Sequence, residues 1–247
     1  MLIFGRNSVR EAILSDAKIH KVFLRANLKG KENQEIIDKI KDSGIEYKFL
    51  PKEVLDKKTN GENNQGFVAE ISEFEYSDVD EIVNFAKQKG EPLFLCILDG
   101  IEDPHNLGSI IRTCECAGVH GIIIEKVRAC DVNPTVIKVS AGACNHMKIA
   151  RVSNIPQTIK NLKKLGVWVY SVELGNNLIY NTNLKGDLAI VIGSEGFGTR
   201  PIVKSSCDDV VTLPMFGNVN SLNASNACAI ALYEAVRQRG DYNNAKR

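Results

Sequence analysis

Five apolar runs set the rhythm of the chain from Leu93 onward: LFLCIL (93–98), GIIIE (121–125), VWVYSV (167–172), LAIVI (188–192) and DVVTL (209–213). A strand with one wet face alternates apolar and polar residues. These runs hardly alternate, so both of their faces are covered. The pattern predicts a mostly parallel sheet with helices packed on it, an α/β architecture. Elsewhere the period changes to that of a helix. Leu107, Ile110, Ile111 and Cys114 recur at helical spacing, as do Leu222, Asn226, Ala229, Ile230 and Tyr233 in a stretch free of Gly and Pro from Leu222 to Arg239.

Residues 1–72 read as a smaller α/β unit. Ser8 and Glu11 have the spacing of a capping box ahead of Val9, Ala12 and Ile13. Ile19–Leu24 reads as a strand, and Ile36, Ile37 and Ile40 stripe a helix over Lys31–Ser43 that Gly44 ends. Ile45–Leu50 predicts a strand, Pro51 the first position of a short helix, Thr59–Gly66 a polar loop and Phe67–Ile71 a further strand. No catalytic constellation stands out here, so this unit reads as a binding module. An acidic, extended stretch from Glu73 leads into a helix over Asp78–Lys89, with Ser77 as its expected cap and Gly90 as its stop. The expected division is a unit over 1–72, a linker over 73–92 and a larger unit over 93–247.

Composition narrows the classes. At 247 residues, 44% apolar and 25% charged, the chain can bury a core without staples. No run approaches membrane-spanning length and MLIFGRNSV lacks the layout of a signal peptide, so the expectation is a cytoplasmic protein with no membrane partner. The net charge of +1 decides nothing. Locally, Lys126–Lys164 holds eight basic residues against Asp131, a net of +7, a candidate phosphate-facing surface unless solvated helix faces account for it. The seven cysteines are odd in number, form no C-x-x-C pair and sit largely in apolar runs, which fits free buried thiols in a reducing compartment. His105, Cys114, Cys116 and His120 match no standard zinc spacing, so no metal is expected.

Ligands of parallel sheets bind beyond the carboxyl ends of the strands, and three such ends carry unusual loops. After 93–98 comes DGIEDPHNLGSIIRTCECAG, where Gly108 weakens the start of a helix and Arg112 stands off its apolar stripe. An ordinary surface arginine explains Arg112; so does an anion-binding one. After 188–192 comes GSEGFGTRP, three glycines around Glu195 in an order that is neither a dinucleotide fingerprint nor a Walker loop. After 209–213 comes PMFGNVNSLNASN, with more hydroxyls and amides (Ser221, Asn223, Ser225, Asn226) than a helix cap needs. Over-capping explains any one of these residues, and a binding loop explains the set. The three loops hold no nucleophile–base pair, so a transfer that depends on positioning fits better than covalent hydrolysis.

Taken in order, N-x-G-x-x-x-R (Asn106, Gly108, Arg112), IGSEGFG (192–198) and PMFGNVNSLNAS (214–225) resemble the three motifs of the SpoU/TrmH branch of the SPOUT RNA methyltransferases, over roughly 93–239. GRNSVREAI (5–13), NNQGFVAEI (63–71) and the ending YEAVRQRG resemble the RlmB-type members, which act on a guanosine ribose of 23S ribosomal RNA through an added ribosomal-protein-like substrate-binding domain. The resemblance implies a C-terminal trefoil knot, a homodimer, and S-adenosyl-L-methionine as methyl donor. It implies cofactor contacts from Gly193, Leu213, Met215, Gly217 and Leu222, and catalytic or substrate-orienting roles for Asn106, Arg112, Glu195, Ser221 and Asn223. Asn220 and Ala224 stand where Ser and Val are common in the family, and Asn218 and Asn226 are less usual; no core motif residue is missing.

Overall fold

The structure is a computed structural model and describes residues 1–14, 18–219 and 221–240. In chain order the first strand, β1 (Leu2–Phe4), leads into α1 (Arg6–Leu14), β2 (Ile19–Arg25), α2 (Lys31–Asp42), β3 (Tyr47–Leu50), α3 (Lys52–Lys58) and β4 (Phe67–Ile71). These form a four-stranded sheet in the order β1-β4-β2-β3, with β4 antiparallel to both neighbours and β2 parallel to β3. The isoleucine stripe of α2 (Ile36, Ile37, Ile40) is buried, and Phe4, Phe23, Leu55 and Val68 form a second apolar cluster.

The start of α1 corrects the capping-box expectation. Ser8 is the third residue of the helix and buried, so it caps nothing. Gly5, at φ 101°, turns the chain instead: its N–H donates to Phe67 O at 3.0 Å, and its carbonyl accepts from Val9 N at 3.1 Å. Gln65 Oε1 accepts from Arg6 N at 2.9 Å. An orphan donor at a helix start needs some acceptor. Here a loop 59 residues away supplies it, which local spacing cannot register.

The second sheet begins after α4 (Val79–Lys89), whose Ile82, Val83 and Ala86 are packed into the second unit's core. Asp78, not Ser77, is the N-cap of α4; the Ser77 N–H donates to Ile149 O at 2.9 Å. Then follow β5 (Phe94–Asp99), α5 (Pro104–Cys116) and β6 (Gly121–Glu125), a short α6 (Pro134–Val139), β7 (Ile149–Val152), α7 (Ile155–Lys164), β8 (Trp168–Leu178), β9 (Leu188–Gly193), α8 (Pro201–Lys204), β10 (Asp209–Thr212) and α9 (Ala224–Arg239). The sheet order is β10-β8-β9-β5-β6-β7 and each of its pairings is parallel. β5 and β9 are buried along their whole length, as their unalternating sequences require. β8 runs well past the expected 167–172. Its ladder with β10 jumps from Ser171↔Val210 to Asn177↔Val211, so residues 172–176 bow out at the carboxyl end of the sheet.

Two compact units result: Met1–Glu75 together with Val132–His146, and Tyr76–Asp131 together with the chain from Met147 on. The first unit therefore includes a segment from just past the middle of the sequence. Within that unit α6 packs on β1, Val136 and Ile137 are buried, and Lys138 stands over the Phe4 ring at 4.5 Å while pairing with Glu62 at 3.0 Å. The linear division into 1–72, 73–92 and 93–247 does not contain this excursion, and α4 belongs to the second unit's core.

Candidate active site

The bowed end of β8, the β9–α8 loop and the β10–α9 loop enclose a cavity of about 320 Å³ at the carboxyl end of the second sheet. Gly193, Glu195, Leu213, Met215, Ser221 and Leu222 all line it; Gly217 does not. Its walls mix apolar side chains with polar main chain. Met215 brings main chain to its wall, and among the described residues the backbone groups of 214–219 make no backbone hydrogen bond, so the peptide groups there stay open to a ligand.

The β9–α8 loop is held tightly. A Cβ on Gly193 would overlap the carbonyl carbon of Gly198 and the amide of Thr199, so only glycine lets the two ends of the loop close. Ser194 N donates to Gly198 O at 3.1 Å and Gly198 N to Ser194 O at 2.9 Å. Glu173, on the bowed part of β8, accepts from the Thr199 amide and pairs with Lys204 at 3.0 Å. At the loop's far end Arg200 binds the buried Asp99, with its Nε donating to Oδ1 at 2.7 Å and its main-chain N–H to Oδ2 at 2.7 Å. Its Nη2 reaches Glu125 at 3.0 Å. Hydrogen bonding to Asp99 raises the Arg200 pKa further, so this cation is permanent.

Asn223 ties the loops together. Its Oδ1 accepts from Ser225 N at 2.9 Å, Ser225 Oγ at 2.6 Å and Asn226 N at 3.3 Å, which caps α9. That orientation leaves Nδ2 facing the other way, where it donates to Asn106 Oδ1 at 2.9 Å and to Glu195 Oε1. Asn106 is buried in the first turn of α5, whose own cap is Asp103. The second oxygen of Glu195 has no hydrogen-bond partner among the described residues. One amide therefore joins three motifs that lie far apart in sequence.

A second cavity, about 420 Å³, lies on the other side of the β9–α8 loop. It is lined by Asp99 to Asp103, Asn106, Arg128, Ser194 to Gly198 and Arg200. Residues 194–198 line both cavities, with Glu195 on the common wall.

The structure thus brings Asn106, Glu195, Ser221 and Asn223 to one place. It leaves Arg112 outside both linings, exposed in the third turn of α5, with no hydrogen bond or ion pair among the described residues. Asn220 lies outside the described residues. Sequence reasoning missed Asp99, Glu173 and Arg200; for Arg200 the signal was available, an arginine closing a glycine-rich turn immediately before Pro201. The basic run of 126–164 is not an uninterrupted cationic face, since Arg151 pairs with Asp131 at 3.4 Å and Lys163 with Asp208 at 2.7 Å. The four residues weighed as a zinc set do not converge. His120 is taken up by Phe94 N and Glu91, Cys116 is exposed, and Cys114 lies with Cys96 and Cys228 in the core.

The profile of the SpoU rRNA Methylase family matches residues 93–233, and that of the RNA 2′-O ribose methyltransferase substrate-binding domain matches residues 2–77. YacO of Bacillus subtilis, assigned to the TrmH family of tRNA/rRNA methyltransferases, is 41% identical over 96% of this chain and 95% of its own. The AdoMet-bound rRNA methyltransferase of Sinorhizobium meliloti superposes with a TM-score of 0.78 at 25% identity, covering 96% of this chain and 86% of its own. The TrmH/SpoU tRNA modifying enzyme of A. aeolicus, also at 25% identity, gives a TM-score of 0.55 over 62% of this chain and 77% of its own. With both profiles matched in order and Asn106, Asn223 and Glu195 joined by hydrogen bonds beside two cavities, the chain belongs to the SpoU/TrmH family of RNA 2′-O-ribose methyltransferases.

Proposed function

We propose that the protein transfers the methyl group of S-adenosylmethionine to the ribose 2′-hydroxyl of a guanosine in large-subunit (23S) ribosomal RNA. The reading includes a cytoplasmic homodimer and a trefoil knot in the second unit. The observation that carries it is the hydrogen-bonded Glu195–Asn223–Asn106 cluster beside two cavities, one for a donor and one for an acceptor, with Glu195 on the wall common to both and Asn106 lining the second. The all-parallel strand order and the packing of α9 on α5, β8 and β9 support the knot.

The smaller cavity suits the cofactor. Leu213, Met215 and Leu222 offer apolar contact, and the main chain at Met215, which makes no backbone hydrogen bond among the described residues, offers an edge for a purine. Gly193 contributes backbone alone; Gly217 lies on the same loop as Met215 but outside the lining. When bound there, S-adenosylmethionine supplies an electrophilic methyl group on a sulfonium. The residues of the chain then align the acceptor and help its proton leave. Glu195 is held by Asn223 through one oxygen, which leaves the other to accept the proton of the 2′-hydroxyl. Ser221 orients the ribose. Arginine does not lose its proton in proteins, so Arg112 acts as a guanidinium clamp on the neighbouring phosphate rather than as a base.

Support for ribosomal over transfer RNA comes from coverage. The Sinorhizobium rRNA methyltransferase matches this chain over 96% of its length, whereas the A. aeolicus tRNA modifying enzyme matches 62%. The test offers tritiated S-adenosylmethionine with unmodified 23S rRNA and with unmodified tRNA. Label at a 23S guanosine 2′-oxygen is the expected result, and label confined to tRNA would move the substrate. Cofactor binding without incorporation into either would leave a non-catalytic RNA-binding assembly factor.

A further inference from the structure

We infer that the larger cavity is a nucleoside subsite in which the acceptor base stacks on the ring of Phe197. The inference rests on the methyl-transfer reading and adds to it the residue that holds the base and the part of the RNA that enters. Phe197 is 96% exposed, in a loop otherwise pinned at both ends. Single exposed apolar residues are ordinary on protein surfaces. What distinguishes Phe197 is its place on the wall shared by the two cavities; Phe216, 95% exposed on the β10–α9 loop, lines neither.

The charges of the cavity choose the ligand. Asp99, Glu102, Asp103 and Glu195 face two cations, Arg128 and Arg200, and Arg200 is already taken up by Asp99 and Glu125. Such a cavity repels a phosphate. It accepts a neutral ring that carries N–H donors, which describes a nucleobase. Asp103 is occupied as the cap of α5, whereas Glu102 is exposed and free among the described residues to accept from the base edge. At about 420 Å³ the cavity falls within the range of small-molecule pockets. Unstacked RNA bases are commonly taken up on aromatic side chains. A base on Phe197 would leave its ribose at the shared wall, beside Glu195 and facing the cofactor cavity.

The experiment compares wild type with Phe197→Ala, Phe197→Leu and Phe197→Trp, using an unmodified 23S rRNA transcript and tritiated S-adenosylmethionine. Affinity for S-adenosylhomocysteine and sedimentation are measured alongside. Loss of a base–aromatic stack corresponds to roughly a 5- to 150-fold rise in KM for RNA. That rise is expected for Phe197→Ala and Phe197→Leu, with a smaller change in kcat, unchanged S-adenosylhomocysteine affinity and recovery in Phe197→Trp. Unchanged KM overturns the inference. So does a parallel fall in S-adenosylhomocysteine affinity, which would assign the ring to the donor cavity, or a changed oligomeric state, which would assign it to a second copy of the chain. A wild-type protein that labels no RNA would instead bring down the methyl-transfer reading, and the inference with it.

Discussion

Asn223 performs two functions on one amide, and they can be separated. Its oxygen caps α9, and its nitrogen holds Asn106 and Glu195. Asn223→Ala should lower stability by about 0.5–2 kcal/mol through the lost cap. Methyl transfer should fall far more than stability does. Asn223→Ser restores a cap acceptor without the amide donors, so the melting temperature should recover while turnover stays low; recovery of turnover would show the Nδ2 contacts to be dispensable. His120 yields a prediction in pH. Its Nδ1 accepts from Phe94 N at 3.0 Å, which puts the proton on Nε2 toward Glu91, and burial lowers its pKa against the opposing pull of that carboxylate. The unfolded chain takes up this proton near pH 6.5 and the folded one only below that. The stabilisation is therefore complete above about pH 6.5 and is lost as pH falls through the folded value. Urea midpoints at pH 7.5 and 5.5 should differ more for wild type than for His120→Asn. At this scale the sequence showed which residues were polar beyond structural need. It could not show that Asn223 reaches Asn106, 117 residues away, because that is a distance across the fold.

Among the elements, the β9–α8 loop decides the shape of both cavities, and two changes probe it. Gly193→Ala sets a methyl group against the backbone of Gly198 and Thr199, where neither atom can rotate away. Overpacking of that kind costs about 1–3 kcal/mol and should abolish S-adenosylhomocysteine binding in calorimetry. Arg200→Met removes the only basic partner that Asp99 and Glu125, both buried, have among the described residues, and breaking a buried pair in this way costs about 3–5 kcal/mol. A denaturant midpoint unchanged in Arg200→Met would show that the carboxylates find other partners. The buried strands were legible because covering both faces of a strand demands an unbroken apolar run. Helix starts were less so. The caps of α1 and α4 were misplaced because Gln65 supplies the acceptor at the start of α1, while Ser77 is drawn into a main-chain pairing with Ile149 and Asp78 takes the cap position.

For the whole molecule, the excursion of Val132–His146 makes the first unit discontinuous in sequence. A fragment of residues 1–75 alone leaves β1 without α6. It should melt broadly, and adding a peptide of residues 132–146 should raise its midpoint; a sharp transition without the peptide would show that the unit closes by itself. The motif residues, the strand-rich second half and the binding character of the first unit were written in composition, period and spacing, since each follows from what a local stretch must bury or cap. The excursion, the bow in β8 and the single amide joining three loops were decided only when the chain closed on itself. Each depends on which distant segment supplies the missing surface or hydrogen-bond partner, and no period along the chain encodes that. The stretch after β10 shows both sides: its excess of amides was plain in the sequence, and their purpose appeared only with Asn106 and Glu195 beside them.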